Sequence, residues 1–308
     1  MKRTEFRRTM ALAVLAVGLS AIAAWPQSKN GPPANPQQQS GPNGPSIAPP
    51  DFNWHAPLPS AAQLKQRVLD NLKKSQAEQE RYVCKTTQVT QQTDKDGAVK
   101  KQESTQYDLF FVNGQEIHEV TSKNGKPLSA EQQKKETERV QKQIQKDSDT
   151  KYVAKKDADN ARQVNMLLHM LHYTNGHRVD LQGRPTLDYD LSGDPNVHPK
   201  GVQETFLHDM SGTIQVDELS GQLVDLNAHL NHDVKVGGGL LANLHKGFWI
   251  HVRQQRYPDG VWLFQKVEGN GDLRAALFFH PYFKFSQTMN NCALTNVTTS
   301  QGTTTLAK

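Results

Sequence analysis

The clearest pattern in the chain is an alternation of apolar and polar residues between positions 223 and 236. The apolar residues occupy the even positions for 13 residues, and only His232 interrupts them. Successive side chains of a strand point to opposite faces of a sheet, so the pattern predicts one continuous strand with a dry face and a wet face. At about 3.3 Å per residue this strand would extend roughly 40 Å, which is typical of a large curved sheet.

Further strands are indicated by runs of β-branched and aromatic residues that end at turn signals. Asp96-Gly97, Asn113-Gly114 and Asn124-Gly125 are hairpin signals, because both central residues of a type I′ turn need a positive φ. The other predicted strands cover residues 81–93, 98–112, 115–122, 178–191, 213–219, 247–257, 261–268 and 273–285. We expect about nine or ten antiparallel strands in one domain.

Helical periodicity appears before the first strand and again in the middle of the chain. Ser60 and Ser129 are each followed three residues later by Gln, which is the capping-box pattern at the start of a helix. The predicted helices cover residues 60–80, 129–147 and 157–172, with one or two further turns in 202–210. The first and third have an apolar stripe that can cover a core, whereas the second is polar on nearly all sides.

The two ends of the chain have the composition of segments outside a folded core. Residues 1–24 combine basic residues, an apolar run and small residues, which predicts a signal peptide; Arg7-Arg8 leaves open twin-arginine export as well as general secretion. Ten of the sixteen prolines lie between Pro26 and Pro59, so 25–57 is predicted to be a disordered linker, and 297–308 a polar tail. No later run is long and apolar enough to predict a transmembrane segment. We expect a periplasmic or secreted protein.

Charge and cysteine content narrow the possible partners. The formal net charge is +5, but the predicted signal peptide holds four basic residues and one acid, and +2 remains without it. We therefore expect no nucleic-acid partner. Cys84 and Cys292 are the two cysteines of a chain expected in an oxidising compartment, which predicts a disulfide. Two separate buried thiols are the alternative.

Sequence signatures of catalysis do not occur. There is no nucleophile elbow, phosphate-binding loop or dinucleotide fingerprint, and the glycines at 237–239 are interpreted as a hinge. His169 and His172 fall on one side of a predicted helix, but no third ligand is close in sequence. We expect no enzyme activity, no metal and no cofactor.

Two segments of the second half resemble a known family. Residues 212–217, followed by Ser220-Gly221, are similar to its Gly-x-hydrophobic-x-hydrophobic-Asp strand and turn. Residues 259–263 are similar to its Asp-Gly-Val-Trp-Leu hairpin. The family is the LolA-like half-barrel superfamily of periplasmic lipoprotein carriers, and the resemblance covers about residues 58–290. It implies an α+β domain over 58–296 whose strongly curved antiparallel sheet is covered on its concave face by helices.

The resemblance also implies a non-catalytic protein that holds an acyl chain, a lipid or a lipoprotein in the concave face. The side chains predicted to line that face are Ile214, Val216, Val224, Leu226, Ala228, Leu230, His232, Phe248, Ile250 and Val252. His232 would be either a polar group at the rim or a specific contact inside the pocket. The alternative hypothesis is a structural or protein-interaction module of the cell envelope, with a filled core, a protein partner and no lipid.

Overall fold

The computed structural model describes residues 48–49, 51–236, 242–275 and 282–294. The predicted signal peptide, most of the predicted linker and the predicted polar tail lie outside the described residues. Four helices and thirteen strands are present in the described part of the chain. The predicted α+β class is therefore confirmed, with more strands than the nine or ten expected.

The helices are α1 (Ala61–Gln79), α2 (Ala130–Asp147), α3 (Thr150–Met170) and α4 (Val202–His208). Both predicted capping boxes are confirmed, since Ser60 and Ser129 each accept a hydrogen bond from the backbone of the following Gln. Helix α3 starts before the predicted boundary because the Asp149 side chain caps it by accepting from two backbone amides. None of the described helices is both long and apolar enough to span a bilayer.

The strands are β1 (Tyr82–Thr93), β2 (Val99–Val112), β3 (Gln115–Lys123), β4 (Lys126–Pro127), β5 (Leu171–Leu181), β6 (Arg184–Gly193), β7 (Met210–Asp217), β8 (Leu223–Leu230), β9 (Val234–Val236), β10 (Ala242–Leu244), β11 (Trp249–Arg256), β12 (Trp262–Ala275) and β13 (Tyr282–Leu294). Eleven of them follow one another across a sheet in the order β4-β3-β2-β1-β13-β12-β11-β8-β7-β6-β5. The short strands β9 and β10 join this sheet through β12. Among the described residues β4 and β5 are the two ends of the order, so the sheet is open.

One row of paired residues crosses most of this antiparallel sheet. The row is Leu191, Gly212, Ala228, Ile250, Gly269, Phe285, Thr90 and Glu103. Directly opposite residues project to the same face, and we call the face that carries this row the inner face. The row is apolar as far as Phe285 and polar at Thr90 and Glu103, which are half-buried, whereas Tyr107 and Leu109 on the same face of β2 are buried.

The long strand predicted over 223–236 is wrong as one continuous element. Strand β8 ends at Leu230, and β9 begins only at Val234. The chain bends between them because Asp209, which follows α4, binds the intervening loop. Its carbonyl accepts from the backbone amide of Asn231 at 3.1 Å, and its carboxylate accepts from the amide of His232 at 2.7 Å.

The break predicted between residues 268 and 273 is also wrong. Strand β12 runs through this segment without interruption. A Cβ on Gly269 would lie 2.8 Å from the Phe285 ring, and one on Gly271 would lie 2.9 Å from the Phe283 ring. These glycines therefore admit two aromatic rings onto the inner face and do not form a turn.

The polar helix α2 binds the edge of the sheet. The Glu136 carboxylate accepts from the backbone amide of Val120 on β3 at 2.8 Å, and the Arg139 guanidinium donates to the carbonyl of His118. Glu136 and Arg139 are also paired with each other at 2.6 Å. Burial opposes ionisation of Glu136, but the hydrogen bonds from Arg139 and Val120 outweigh it and hold the pKa of Glu136 below its usual value. A helix with little apolar surface thus satisfies backbone groups that a sheet edge would otherwise expose.

The last part of the predicted linker is held on the sheet. Arg178 of β5 donates to the carbonyls of Trp54 at 2.6 Å and Ala56 at 3.0 Å. The same guanidinium forms two hydrogen bonds with the nearly buried carboxylate of Glu218. Glu218 holds the Arg178 guanidinium in position, and charge-assisted hydrogen bonds from Arg178 then fix the backbone of residues 51–57.

The predicted disulfide is confirmed. Cys84 of β1 is bonded to Cys292 of β13, and 208 residues separate them along the chain. The bond lies at a register shift between the two strands, where Val83 pairs with Ala293 but Lys85 pairs with Asn290. It therefore links the first and last long strands where their hydrogen-bond ladder is interrupted.

Candidate ligand-binding site

The main hydrophobic cluster lies between the inner face and three helices. The sheet contributes apolar residues of β6, β7, β8, β11 and β12. Helix α1 contributes the buried Leu64, α3 contributes Met170, and α4 contributes Phe206 and Leu207. Helix α2 contributes none of the cluster's buried residues. The apolar part of the inner face is therefore covered by α1, α3 and α4.

Eight of the ten side chains predicted to line the site meet in this cluster. They are Ile214, Val216, Leu226, Ala228, Leu230, Phe248, Ile250 and Val252. All eight are at most 9% exposed. The alternation of apolar and polar residues in β7, β8 and β11 thus predicted which side chains share the inner face.

Val224 is buried but does not join the main cluster. The register between β7 and β8 shifts so that Val216 pairs with Leu223, although Gln215 pairs with Asp225. Val224 is the extra residue of this bulge, and Leu223 packs against the cluster in its place. A strict period of two could not show a one-residue bulge.

His232 lies outside the cluster. Its side chain is 82% exposed, and its Nδ1 lies 2.6 Å from the Asp209 carboxylate. His232 therefore fastens the loop after β8 to the end of α4, and it provides no polar contact among the apolar side chains of the cluster.

A small apolar cavity of about 20 Å³ remains inside the cluster. Four of the predicted residues line it: Leu226, Ala228, Phe248 and Ile250. Six more lining residues were not among the predicted site residues: Leu167, Leu171, Leu191, Phe206, Leu207 and Met210. A space of this size holds roughly one water molecule, so helix side chains fill most of the volume above the sheet.

Half of the missed lining residues lie in helices, and the other half, Leu171, Leu191 and Met210, lie on β5, β6 and β7. Leu167 and Leu171 belong to the apolar stripe of the third predicted helix. This stripe could have identified them as residues that face the hydrophobic cluster. Phe206 and Leu207 belong to α4, a helix of 7 residues, too short to show a helical period. Only the tertiary structure shows that Phe206 and Leu207 line the same cavity as Leu226, Ala228 and Ile250.

Other chemistry is sparse in the described part of the chain. No group of three or more His, Cys, Asp or Glu side chains is placed there to hold a metal ion. Comparisons with protein-family models, with curated proteins and with solved structures found no match. The candidate site is thus defined by its apolar lining and its cover of helices alone.

Proposed function

We propose that this protein is an exported, non-catalytic carrier that binds an apolar chain, such as the acyl chain of a lipid or lipoprotein, between its sheet and its helices. The supporting observation is the cluster itself, in which helix side chains cover an apolar sheet face and leave a small apolar cavity. The resemblance to the LolA-like half-barrel supports the same proposal, and with it a curved sheet. The disulfide supports an oxidising compartment such as the periplasm.

An acyl chain needs more space than the cavity offers, so binding has to displace part of the helix layer. Helix α4 is suited to this movement because it is short and has no side-chain cap at its start. Exposing Phe206 and Leu207 costs about 3–6 kcal/mol, whereas burying about ten methylene groups of a ligand gains about 8 kcal/mol. The hydrophobic transfer terms therefore favour the exchange, and the cost of immobilising the ligand is set against them.

Lipid extraction tests this proposal. The mature protein is purified from a host that exports it, extracted with organic solvent, and the extract is analysed by mass spectrometry. We expect stoichiometric acyl lipid, and uptake of a fluorescent fatty acid by the delipidated protein. An extract without lipid, together with no uptake, would contradict the proposal.

A pair of variants connects uptake to the site. Phe206→Ala removes a side chain that occupies the space above the sheet, so it should increase uptake several-fold. Val140→Ala is the matched control, because Val140 is a buried residue of α2 outside the main cluster. Equal changes in both variants would show that uptake follows general loosening and not the proposed site.

A second candidate function is an interaction module of the cell envelope with no lipid ligand. The size of the cavity favours it, because the helices nearly fill the space above the sheet. Crosslinking in intact cells tests it, with a specific envelope protein as the expected product. Absence of any protein adduct would count against this function.

A further inference from the structure

One polar group lies unpaired beside the apolar cluster. The hydroxyl oxygen of Tyr173 on β5 is buried and makes no hydrogen bond within the described part of the chain. Burying a hydroxyl without a partner costs stability, so proteins seldom leave such a group unpaired. A buried donor that the described residues leave unsatisfied suggests a partner from outside the protein.

Tyr173 is adjacent to the cavity. Its directly opposite residue on β6 is Leu191, and Leu171 precedes it by two positions on the same face of β5. Both of these leucines line the cavity. The Tyr173 ring itself packs against the main cluster and meets the Tyr189 ring edge-on at 6.3 Å. A ligand in an enlarged cavity would therefore end beside Tyr173.

A cation lies at the same place. The ammonium group of Lys65 on α1 is 5.9 Å from the centre of the Tyr173 ring. Among the described residues no carboxylate forms a salt bridge with Lys65. Asp194 is close enough for Lys65 to contribute to lowering its pKa, but the main cause of that lowering is the backbone amide of Asn196. The charge of Lys65 is therefore available to a ligand.

We propose that Tyr173 and Lys65 bind the anionic head group of an acyl-chain ligand whose tail enters the cavity. This inference rests on the proposed carrier function. The Tyr173 hydroxyl donates a hydrogen bond to a head-group oxygen, and Lys65 supplies the opposite charge from the helix layer. A carboxylate and a phosphate both offer such an oxygen, so the ligand class is a fatty acid or an acidic phospholipid.

The state of the donor fits this role. Burial raises the pKa of the Tyr173 hydroxyl, so the group stays protonated at neutral pH and can donate. Hydrogen bonds to charged acceptors are roughly twice as strong as those between neutral groups. An ester head offers no charge, so the site should distinguish a fatty acid from its methyl ester.

Calorimetric titration of the delipidated mature protein tests the inference. The probes are oleate, methyl oleate and an acyl lysophospholipid with a free phosphate. Wild type should bind oleate or the phosphate lipid about tenfold more tightly than methyl oleate. The stronger of the two acidic probes identifies the source of the anionic oxygen.

Variants then assign this preference to the two side chains. Lys65→Met should weaken binding of the acidic probe about tenfold and leave methyl oleate unchanged. Tyr173→Phe should weaken binding of the acidic probe several-fold and of methyl oleate less, because an ester carbonyl is a neutral acceptor. Tyr152→Phe is the matched control, because Lys156 lies 5.5 Å from the centre of the exposed Tyr152 ring, and Tyr152 lies outside the main cluster. Tyr173→Phe removes only an unpaired hydroxyl, so its melting temperature should not fall.

The outcomes separate this inference from the carrier proposal. Unchanged binding of the acidic probe by Tyr173→Phe, or equal binding of acid and ester by wild type, overturns the head-group site and leaves the carrier function standing. If wild type binds none of the probes, both proposals are overturned.

Discussion

Two halves of the same sheet face are built in different ways. On β6, β8 and β11 the inner-face residues Leu191, Ala228 and Ile250 are at most 3% exposed. In the same row, Thr90 of β1 and Glu103 of β2 are only half-buried. We call the first set of strands, with β7 and β12, the apolar half, and β13, β1 and β2 the polar half. Phe283 and Phe285 lie at their boundary.

The two halves of the sheet are stabilised in different ways. The apolar half is held by packing against α1, α3 and α4, and it contains the candidate site. The polar half has a smaller hydrophobic cluster around Cys84, Tyr107 and Leu109, to which Leu263 of β12 also belongs, together with the disulfide and the hydrogen-bond ladder. An apolar ligand should therefore bind to the apolar half, whereas covalent and charged links should matter most in the polar half.

The largest effect on stability is expected from the disulfide. Closing a loop of 208 residues stabilises the fold by about 5 kcal/mol at most in the chain-entropy model. Denaturant titration of the Cys84→Ala, Cys292→Ala double variant should show a loss approaching this value. Reductant should lower the midpoint of wild type and leave the double variant unchanged. Equal midpoints for oxidised and reduced wild type would contradict the account of the polar half.

A paired substitution within one row compares the halves directly. Ile250→Ala should destabilise the protein by about 3 kcal/mol, because it leaves a cavity among fully packed side chains. Thr90→Ala, two strands beyond Gly269 in the same row, should change the free energy of unfolding by no more than about 0.5 kcal/mol. Both values come from urea titrations of the two variants. Similar losses would remove the distinction between the halves.

The smallest effect is expected at the edge beyond the polar half, where Glu136 binds β3. The pKa of Glu136 is lowered in the folded protein, so its contribution is present at neutral pH and is lost as the pH falls through that lowered value. Exchange of the Val120 amide with deuterium, corrected for intrinsic rates, should rise as the pH falls through this lowered pKa. Glu136→Gln should weaken this pH dependence, and the amide of Leu226 on β8 provides the internal control. Equal pH dependence at both amides would refute the charged edge contact.

The sequence was most informative where the alternation of apolar and polar residues continued along a strand. In β8 the residues Leu226, Ala228 and Leu230 were placed correctly by alternation alone, and Cys84 and Cys292 were paired correctly from their number and the expected compartment. Both inferences depend on local pattern or on counting, neither of which requires knowledge of distant contacts.

The failures occurred where a distant residue determines the local structure. The predicted strands left a gap between residues 268 and 273, but rings from β13 pack against Gly269 and Gly271 within one continuous strand. His232 was predicted to lie on the same face of one long strand as Leu230, but Asp209 binds its amide and side chain and turns the chain away. Tyr173 and Lys65 are separated by more than a hundred positions, so only the fold brings them together.

The central claim is that an apolar chain binds over the apolar half, beneath α4. Photocrosslinking with a fatty acid that carries a diazirine near the end of its tail tests it most directly, with the labelled peptides mapped by mass spectrometry. The account predicts labels on β8, β11 and α4, at or next to Ala228, Ile250 and Phe206. Labels confined to β1 and β2, or no saturable labelling, would contradict it.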